Sequence, residues 1–562
     1  MKKAINFYIV SVAILLSACA AKIVKTPNEV SYGKDAKRKI SNELSVYRTQ
    51  GLCNGLPRVQ EVNLAPGFCL GLVDSGEGLG KPRYALQLDP TRILLVDMGG
   101  WTANTGRLYM LTKSGRAWSR SELLTPAMLG ENEKCLLDRP FQPIRGPGGK
   151  LYLTAASCVG TIDPLSANVA SSVRIILRDL PDDGLHSLKA IAFDPAGNMY
   201  MNVGSVSDNC EMETSDTCEE LENRALIRKY APDTSGGYGA FTVFARGQRN
   251  SMALHWDTLN GMLWAGENSR DYIERKEAQL NGEEKPSDEF NIISEGANLD
   301  WPYCYDNGQK SPEFPNAVCS QYQDPHLLFP AHSAPLSFLK YTGTLFPPFY
   351  RDRLLVTFHG YRAYGHRIVT YEKNERGEPT GDPLSVVYGW DANTEGRMVG
   401  APVGITQGLD GSVFIVEDTP KKVLQLYYNA SEGNGTPVAE LSVGSVQQDQ
   451  SAVARGFRRA EERRRVAFVE KLEQENVPLF TQIQSRILDQ HCARCHAGVT
   501  YPGMQILRYD DIGNYKKLKD MLMPLLTGDG LPQMPLGGLP EESREELIGL
   551  VQRWLDAGSP EP

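Results

Sequence analysis

The sequence has neither a long hydrophobic run in its interior nor an excess of positive charge. After the first 19 residues, no segment approaches the roughly 18 consecutive apolar residues that a transmembrane helix requires. Acidic residues outnumber basic ones by 68 to 59, and the net charge is −9 at pH 7. A basic surface for nucleic acid is therefore not expected. With 562 residues, 41% of them apolar, the composition predicts a globular protein of more than one domain.

The apolar run at the start of the chain predicts a secretory signal. Lys2 and Lys3 precede AINFYIVSVAILL, which is too short to span a bilayer and fits a signal-peptide core. The run ends in LSAC (16–19), which looks like a bacterial lipobox with Cys19 as the acylated first residue of the mature chain. An ordinary signal with an incidental cysteine is the alternative. The pattern predicts a periplasmic lipoprotein, and Ala20, which is not the aspartate of inner-membrane retention, favours the outer membrane.

Near the other end, LDQHCARCHAG (488–498) has the spacing of a haem attachment site. Two thiols separated by two residues add across the vinyl groups of haem, and a histidine that follows ligates the iron. Cys492 and Cys495 are therefore predicted to hold haem c, with His496 as the proximal ligand. A zinc or redox Cys-x-x-Cys is the alternative, but no second cysteine pair follows and no βαβ pattern surrounds it.

The segment after this motif offers a sixth iron ligand. Met534 lies in a proline- and glycine-rich loop before an amphipathic helix, where its thioether can cover the far face of the ring. The rival ligands are Met504, Met521, Met523 and His491. With its Met-Pro-x-Gly-Gly and Trp-x-x-x-Gly elements, the tail resembles the class I cytochrome c module. This resemblance implies an electron carrier, because His and Met fill both axial positions.

The other cysteines fall along the chain as four neighbouring couples once Cys19, Cys492 and Cys495 are set aside. An even number in an exported protein favours disulfides. Buried free thiols are the alternative, and the sequence alone does not choose among the many connectivities. The predicted pairs are Cys53–Cys69, Cys135–Cys158, Cys210–Cys218 and Cys304–Cys319.

The central part of the chain repeats a hairpin pattern. Each copy has a short apolar strand, a turn built on Asp, Pro or Gly, and a second strand of alternating apolar residues. The copies are 84–99, 142–157, 190–205, 254–269 and 404–419. Their recurrence every 45–65 residues in the better-spaced cases favours propeller blades over a sandwich, and six blades are expected. A propeller gathers its blade-top loops over one channel, where ligands bind.

The expected fold class is mainly β, a six-bladed β-propeller followed by a small all-α cytochrome c domain. The polar segment 429–451 predicts a linker, and the alternating charges of 454–476 predict a helix that is a solvated spacer or an interdomain brace. The predicted divisions are a signal peptide (1–19), a tether (20–49), the propeller (50–428), the linker with its charged helix (429–476) and the cytochrome domain (477–562).

The loops between the predicted blades carry a recognisable order of residues. GLHSLKAIAFDP, FARGQRNSMALHWD, LWAGENSRD, PSDEFNIISEGANLDWPYCYD and APVGITQGLDGSVFIVED follow one another along the chain. In this order, over about residues 55–428, the chain resembles the sugar dehydrogenases that use pyrroloquinoline quinone (PQQ), in particular the sorbosone and aldose sugar dehydrogenase branch. The resemblance implies that an aldose or similar sugar or alcohol is oxidised by hydride transfer to PQQ, with Ca²⁺ polarising the quinone.

The resemblance also implies roles for single residues. His186 corresponds to the base that removes the hydroxyl proton, a task suited to a neutral imidazole. Arg249 corresponds to the arginine over the quinone carbonyls, where a fixed positive charge stabilises an oxygen that becomes anionic. Asn250 completes this Arg-Asn motif, and Arg362 lies where the family tends to place a cationic cofactor contact.

Two positions depart from the family pattern. The family's calcium site uses main-chain carbonyls after a Glu-x-Gly turn, and here Ser269 and Arg270 occupy those places. The acidic residues nearby are Glu267, Asp288 and Glu289, for which a solvated loop is the alternative. In the last blade, Ala401 replaces an arginine that contacts the cofactor in related chains, and Arg397 is close in sequence.

A haem on the same chain as the predicted quinone site would link the two predicted domains by electron transfer. A reduced quinone holds two electrons and haem accepts one at a time, so the cytochrome can empty the cofactor in two steps and supply a downstream cytochrome or respiratory acceptor. Tethering makes that transfer effectively intramolecular. The alternative, favoured by Ala401 and Ser269, is a non-catalytic propeller that binds a sugar or protein beside a redox-sensing cytochrome. An oxidoreductase that uses the haem alone has no substrate motif.

Overall fold

The computed structural model describes residues 47–60, 62–210, 217–234, 236–277, 279–282, 284–360, 364–390, 400–432 and 541–556. The chain divides into two compact units, Met1–Phe457 and Arg458–Pro562. Every strand described below belongs to the first unit. No helix in these ranges is long and apolar enough to cross a bilayer.

Among the described residues, the first unit contains six sheets that form the blades and one separate two-stranded sheet, and the four main strands of each blade pair antiparallel. The N-terminal strands are β1 (Thr49–Cys53), β2 (Leu56–Val59), β3 (Asn63–Leu64) and β4 (Phe68–Asp74). The first blade comprises β5 (Pro82–Asp89), β6 (Arg92–Asp97), β7 (Arg107–Ser114) and β8 (Ala117–Leu124). The second comprises β9 (Pro143–Arg145), β10 (Leu151–Thr154), β11 (Val159–Ile162) and β12 (Arg174–Leu177). The third comprises β13 (Ile191–Phe193), β14 (Met199–Val203), β15 (Leu226–Pro232) and β16 (Tyr238–Arg246).

The remaining strands complete three more blades. The fourth has β17 (Ser251–Asp257), β18 (Met262–Glu267), β19 (Asp288–Ile293) and the outer strand β23 (Leu327–Phe329). Three short strands precede β23 in the sequence: β20 (Ala297–Asn298) pairs with β16 of the third blade, and β21 (Cys304–Tyr305) pairs with β22 (Gln309–Lys310). The fifth has β24 (Pro335–Lys340), β25 (Leu354–Phe358), β26 (Arg367–Lys373) and β27 (Pro379–Tyr388). The sixth has β28 (Pro402–Gln407), β29 (Val413–Glu417), β30 (Val423–Tyr428) and, as its fourth strand, β4.

Helices are short in the propeller. The α-helices among the described residues are α1 (Val169–Ser172) and, in the second unit, α2 (Glu541–Asp556). The 3-10 turns are Pro126–Met128, Lys134–Leu137, Pro147–Gly149, Glu219–Glu222, Ile273–Arg275, Cys319–Gln321, Pro348–Tyr350 and Ala430–Glu432. The mainly β class and the six-bladed arrangement are thus confirmed.

The sixth blade joins the two ends of the propeller. Strand β4 pairs antiparallel with β30, with Phe68 opposite Tyr428 and Asp74 opposite Val423. This pairing closes the ring, because the last blade takes its outer strand from the start of the domain. The disulfide Cys53–Cys69 ties β1 to the same strand. The other three predicted pairs, Cys135–Cys158, Cys210–Cys218 and Cys304–Cys319, are also disulfides, so all four are confirmed.

The second strand of a blade is buried on both faces. In β6, the side chains of Ile93, Leu94, Leu95 and Val96 are fully buried. Neighbouring blades cover both faces of each sheet, so this strand is a continuous apolar run rather than the alternating one expected from the sequence. The hydrophobic core therefore lies between the blades.

First strands of successive blades contact one another around the centre: β13 with β17, β17 with β24, β24 with β28, and β28 with β5. They line the channel of the propeller. Residues that precede these first strands lie close to residues that follow the second strands. Arg83, at the start of β5, bonds to Asp418 directly after β29, and Arg249, before β17, bonds to Asn268 directly after β18. We call this end of the channel the channel mouth.

In the second unit, α2 buries Leu547, Leu550, Val551 and Trp554. Their spacing places them on one face of the helix, as expected of the amphipathic helix predicted to follow Met534 in the sequence. The predicted haem residues Cys492, Cys495, His496 and Met534 lie outside the described residues, as do the predicted lipidation site Cys19 and the arginines Arg362 and Arg397.

Candidate active site at the channel mouth

His186 lies in the loop before β13, and one of its ring nitrogens is fixed. Nδ1 is 3.0 Å from the carbonyl oxygen of Ser205 and 2.9 Å from its Oγ. The carbonyl only accepts, and the Ser205 hydroxyl already donates to the carbonyl of Ser207 at 2.7 Å. Nδ1 therefore carries the hydrogen, and Nε2 keeps its lone pair. That tautomer is the one a general base requires.

The surroundings of His186 keep its ring neutral. Gly204 allows the close approach, since a Cβ at that position would lie 2.4 Å from the Cβ of His186. Burial, and secondly the positive charge of Arg249, lower the pKa of His186 from 6.5 to about 3. The imidazole is thus an uncharged acceptor throughout the neutral range.

Arg249 precedes β17 and is held on several sides. Its Nε donates to the carbonyl of Asp208 at 2.9 Å, and one terminal nitrogen donates to the Asp208 carboxylate at 2.6 Å. The other terminal nitrogen donates to the carbonyl of Asn268 at 2.9 Å. The main-chain N–H of Ser205 donates to the carbonyl of Arg249 at 2.8 Å, which links this residue to the His186 partner. The carboxylate of Asp271 lies 3.6 Å from the nitrogen that bonds to Asp208. Arg249 is only 5% exposed, and these contacts do not use all five of its N–H groups, so some are left for a ligand.

Asn250 is anchored through its main chain. Its N–H donates to Glu267 at 2.9 Å, and its carbonyl accepts the side-chain N–H of Asn268 at 2.9 Å. Burial raises the pKa of Glu267 to about 7. The side-chain oxygen of Asn250 and both amide atoms of Gln248 are buried without a hydrogen-bond partner among the described residues. Unpaired amides on either side of Arg249 are donors and acceptors that a polar cofactor would satisfy.

The turn expected to hold calcium, at Ser269 and Arg270, is held in place by hydrogen bonds to buried carboxylates. The main-chain N–H of Ser269 donates to Asp288 at 2.9 Å, and the second carboxylate oxygen of Asp288 accepts from Ser333 Oγ at 3.0 Å and from the main-chain N–H of Ala334 at 2.6 Å. Arg270 donates to Glu313 at 2.5 Å. Asp288 therefore joins the fourth blade to the fifth. Burial raises its pKa to about 6.

The main-chain carbonyls of Ser269 and Arg270 accept no hydrogen bond within the described part of the chain. Two consecutive free carbonyls suit a hard cation such as Ca²⁺. Glu267, Asp288 and Glu289 are 4%, 2% and 4% exposed, so the solvated-loop alternative is wrong for all three. The one His, Cys, Asp and Glu cluster compact enough for a metal in the described ranges is Cys210, Cys218 and Glu220, whose thiols are consumed by a disulfide.

A second group of charged residues lies across the channel mouth. The carboxylate of Asp418, after β29, is 3.0 Å from both the Lys81 ammonium and the Arg83 guanidinium, and 3.1 Å from Nε2 of His359. The main-chain N–H of Asp418 donates to the carbonyl of Ala401 at 3.3 Å. The position where an arginine was expected therefore adjoins two cations from the first blade.

The structure brings together most of the residues that the sequence indicated. His186, Arg249 and Asn250 lie with Ser269 and Arg270 around one mouth, although their roles stay predictions. Sequence reasoning missed four partners, which are Ser205, Asp208, Arg83 and Asp418. The signal available for the first two was their place in the loop after β14, the second strand downstream of His186.

The chain is similar in sequence to known proteins. The family described as Glucose / Sorbosone dehydrogenase matches residues 102–424. An uncharacterised protein of Borreliella burgdorferi is 26% identical over 298 residues, covering 50% of this chain and 73% of that protein. A Hypocrea jecorina protein named pyrroloquinoline quinone-dependent sugar dehydrogenase is 26% identical over 240 residues, covering 36% of this chain and 53% of that protein. The chain thus matches about half the length of this second relative.

Solved structures share the fold. An iodide structure of a Trichoderma reesei protein of Carbohydrate-Active Enzymes Family AA12 superposes with a TM-score of 0.53 and 19% identity, covering 68% of this chain and 100% of that one. A calcium structure of the same family and organism gives a TM-score of 0.51 at 19% identity, covering 68% and 99% of the two chains.

Proposed function

Because this chain belongs to the glucose and sorbosone dehydrogenase family, we propose that it oxidises an aldose, or a similar sugar or alcohol, by hydride transfer to PQQ. The observation that carries the proposal is His186, a neutral imidazole with its Nε2 lone pair available at the channel mouth, linked through Ser205 to the fixed guanidinium of Arg249. The naming of the Hypocrea jecorina relative as a PQQ-dependent sugar dehydrogenase supports the choice of cofactor.

In the proposed reaction, His186 handles the proton. Its Nε2 accepts the hydrogen of the substrate hydroxyl while the carbon-bound hydrogen leaves with two electrons, so a cyclic hemiacetal becomes a lactone. PQQ, when bound, supplies the quinone that takes up this hydride. Nδ1–H stays bonded to the carbonyl of Ser205 during the transfer and stabilises the imidazolium that forms. Solvent then removes the proton from Nε2.

Arg249 supplies positive charge where an oxygen becomes anionic. Its bonds to Asp208 and Asn268 hold the guanidinium before substrate arrives, so no reorientation is needed during the reaction. Its remaining N–H groups, with the unpaired amides of Gln248 and Asn250, would bind the cofactor carbonyls. The main-chain carbonyls of Ser269 and Arg270 would hold Ca²⁺, and the calcium structure of the Trichoderma reesei protein supports calcium as the metal.

We propose the remaining features from the sequence. Cys492 and Cys495 attach haem c, and His496 and Met534 ligate its iron. The haem passes electrons to a downstream cytochrome or respiratory acceptor. Cys19 carries the lipid that anchors the protein to a membrane, the outer membrane being favoured, on its periplasmic side.

Reconstitution of the full-length protein tests the function. Protein freed of cofactor by chelation is mixed with PQQ and Ca²⁺, then with a panel of aldoses and an artificial dye acceptor. We expect dye reduction that requires PQQ, Ca²⁺ and sugar together. Sugar binding without dye reduction would instead support the non-catalytic propeller that the Ala401 departure favours.

A further inference from the structure

Two cationic side chains, Lys81 and Arg83, lie beside the single carboxylate of Asp418, which can neutralise only one of them. Asp418 is 2% exposed and accepts from Lys81 and Arg83, each at 3.0 Å, as well as from His359 and from Thr419 Oγ1 at 3.0 Å. One permanent negative charge is thus shared by two permanent positive charges. A buried cation that is only partly neutralised favours the arrival of another anion.

The other acidic residue at this place is Asp97, and its carboxylate faces the main chain. It accepts the N–H groups of Gly80 at 2.7 Å, Lys81 at 2.6 Å and Gly99 at 2.9 Å. Among the described residues, Asp97 forms no salt bridge with either cation. Asp418 is therefore the ion-pair partner that Lys81 and Arg83 share.

Arg83 keeps bonding capacity after its contact with Asp418. Its Nε is buried without a partner among the described residues, and one terminal nitrogen meets only the weakly accepting sulfur of Met98, at 3.3 Å. The side chain of Lys81 is 23% exposed. Lys81 can therefore contact a ligand directly, with Arg83 behind it.

An exposed aromatic ring borders the two cations. Trp101 follows β6 and is 59% exposed, and the Arg83 guanidinium carbon lies 5.7 Å from its ring centre. A large planar side chain left in water at a channel mouth is a surface on which a flat ring can stack. Ammonium, guanidinium and indole together suit a planar aromatic anion.

These residues lie beside the position of the expected arginine. Strands β28 and β5 contact each other, and a Cβ at Gly404 would lie 2.3 Å from the carbonyl oxygen of Arg83. Ala401 in turn accepts from the main-chain N–H of Asp418. Lys81, Arg83 and Trp101 precede residue 102, where the family match begins. They therefore lie outside the residues that the family match covers.

We propose that Lys81, Arg83 and Trp101 form the subsite for a carboxylate and ring face of the quinone cofactor, and that they supply the charge lost where Ala401 stands in place of arginine. The subsite rests on the proposed function, since PQQ is the planar aromatic polyacid concerned. Arg249, before β17, lies across the channel from β5, so a ligand that reaches both contacts opposite sides of the mouth.

PQQ binding to the full-length, cofactor-free protein tests the subsite by calorimetry, independently of turnover. Lys81→Met should raise the Kd for PQQ about 10- to 100-fold, the range for a lost hydrogen bond to a charged group. Trp101→Ala should also weaken binding. Lys340→Met is the matched control, because Lys340 pairs with buried Asp257 at 2.8 Å at the opposite end of the first strands. Its Kd should equal that of the wild type.

A rescue variant separates a cofactor contact from a change in folding. Ala401→Arg added to Lys81→Met should restore tight PQQ binding by returning the charge to the sixth blade. An unchanged Kd in Lys81→Met, or equal weakening in Lys340→Met, would overturn the subsite while leaving the proposed function in place. A wild-type protein that does not bind PQQ at all would overturn both.

Discussion

The carbonyl oxygen of Ser205 lies 3.0 Å from Nδ1 of His186, and the Ser205 hydroxyl gives its own hydrogen to Ser207. This relationship decides which ring nitrogen can act. With Nδ1 as donor, Nε2 is the basic atom, and a neutral serine rather than a carboxylate orients the ring. A carboxylate partner would raise the pKa of the imidazole. Because the partner is a neutral serine, burial and the positive charge of Arg249 determine the pKa of His186 and lower it.

We predict that His186 stays neutral well below the pH at which an ordinary histidine is protonated. Its pKa is lowered from 6.5 to about 3 by burial and by the charge of Arg249. NMR of histidine-labelled, cofactor-free protein should show one ring, absent in His186→Gln, that does not titrate between about pH 5 and 8. Arg249→Met should move its titration upward. A midpoint near 6.5 for this ring in the wild type would contradict the environment described.

Asp208 is predicted to position Arg249 without touching substrate. Asp208→Asn removes the charge that holds the guanidinium at 2.6 Å, so it should weaken PQQ binding and lower kcat by roughly 10-fold, in line with a lost charged hydrogen bond. Asp74→Asn is a matched control, because Asp74 accepts from Arg120 at the same 2.6 Å on the outer strand β4. Steady-state kinetics and PQQ titration of both variants provide the comparison. Equal losses in the two would show that the effect is general destabilisation.

Stability should fall as pH rises from acid to mildly alkaline values because of Glu417. This residue is fully buried, accepts from Tyr47 Oη at 2.5 Å, and has its pKa raised by burial from 4.5 to about 8. Between these values the folded protein holds a proton that the unfolded chain releases, so the free energy of unfolding decreases with pH. Glu417→Gln should raise Tm at pH 8 more than at pH 5. Glu131→Gln, whose side chain is 87% exposed, is the control and should shift Tm equally at both pH values.

Covalent haem is predicted to depend on the two cysteines near the end of the chain. Cys492→Ala with Cys495→Ala should abolish a haem that otherwise survives acid extraction. Met534→Ala should make the iron high-spin or lower its potential, because the thioether ligand is lost. Met504→Ala and Met521→Ala serve as controls that keep the low-spin spectrum. The same change in either control would show that the sixth ligand is misassigned.

Local sequence patterns predicted more of the fold than of the candidate site. Hairpins with tight turns marked five blades, but the pair β24 and β25 escaped notice because residues 341–353 separate its strands. The full burial of β6 depends on blades packing on both faces, which no single strand encodes. The disulfides were predictable because each joins neighbouring cysteines, 8 to 23 residues apart.

The site was predictable only where a motif named its residue. His186 and Arg249 lie in loops that carry a recognisable motif. The partners that hold them come from other segments of the chain, which only the folded propeller brings close. Asp208 meets Arg249 across 41 residues of sequence, and Arg83 meets Asp418 across 335. The first contact exists because the third and fourth blades are neighbours, and the second exists because closure of the propeller brings the sixth blade against the first. The sequence could show that Ala401 is not arginine, but not that Lys81 and Arg83 lie beside it.

Single-turnover reduction of bound PQQ tests the central claim most directly. Full-length protein loaded with PQQ and Ca²⁺ is mixed with an aldose that it oxidises, and the cofactor spectrum is followed for the wild type and His186→Ala. We predict rapid reduction in the wild type, a rate about 10²- to 10⁴-fold lower in His186→Ala, and an unchanged Kd for PQQ. Equal rates in the two proteins would contradict the role of His186 as the base, and no reduction in the wild type with any aldose would contradict the dehydrogenase function itself.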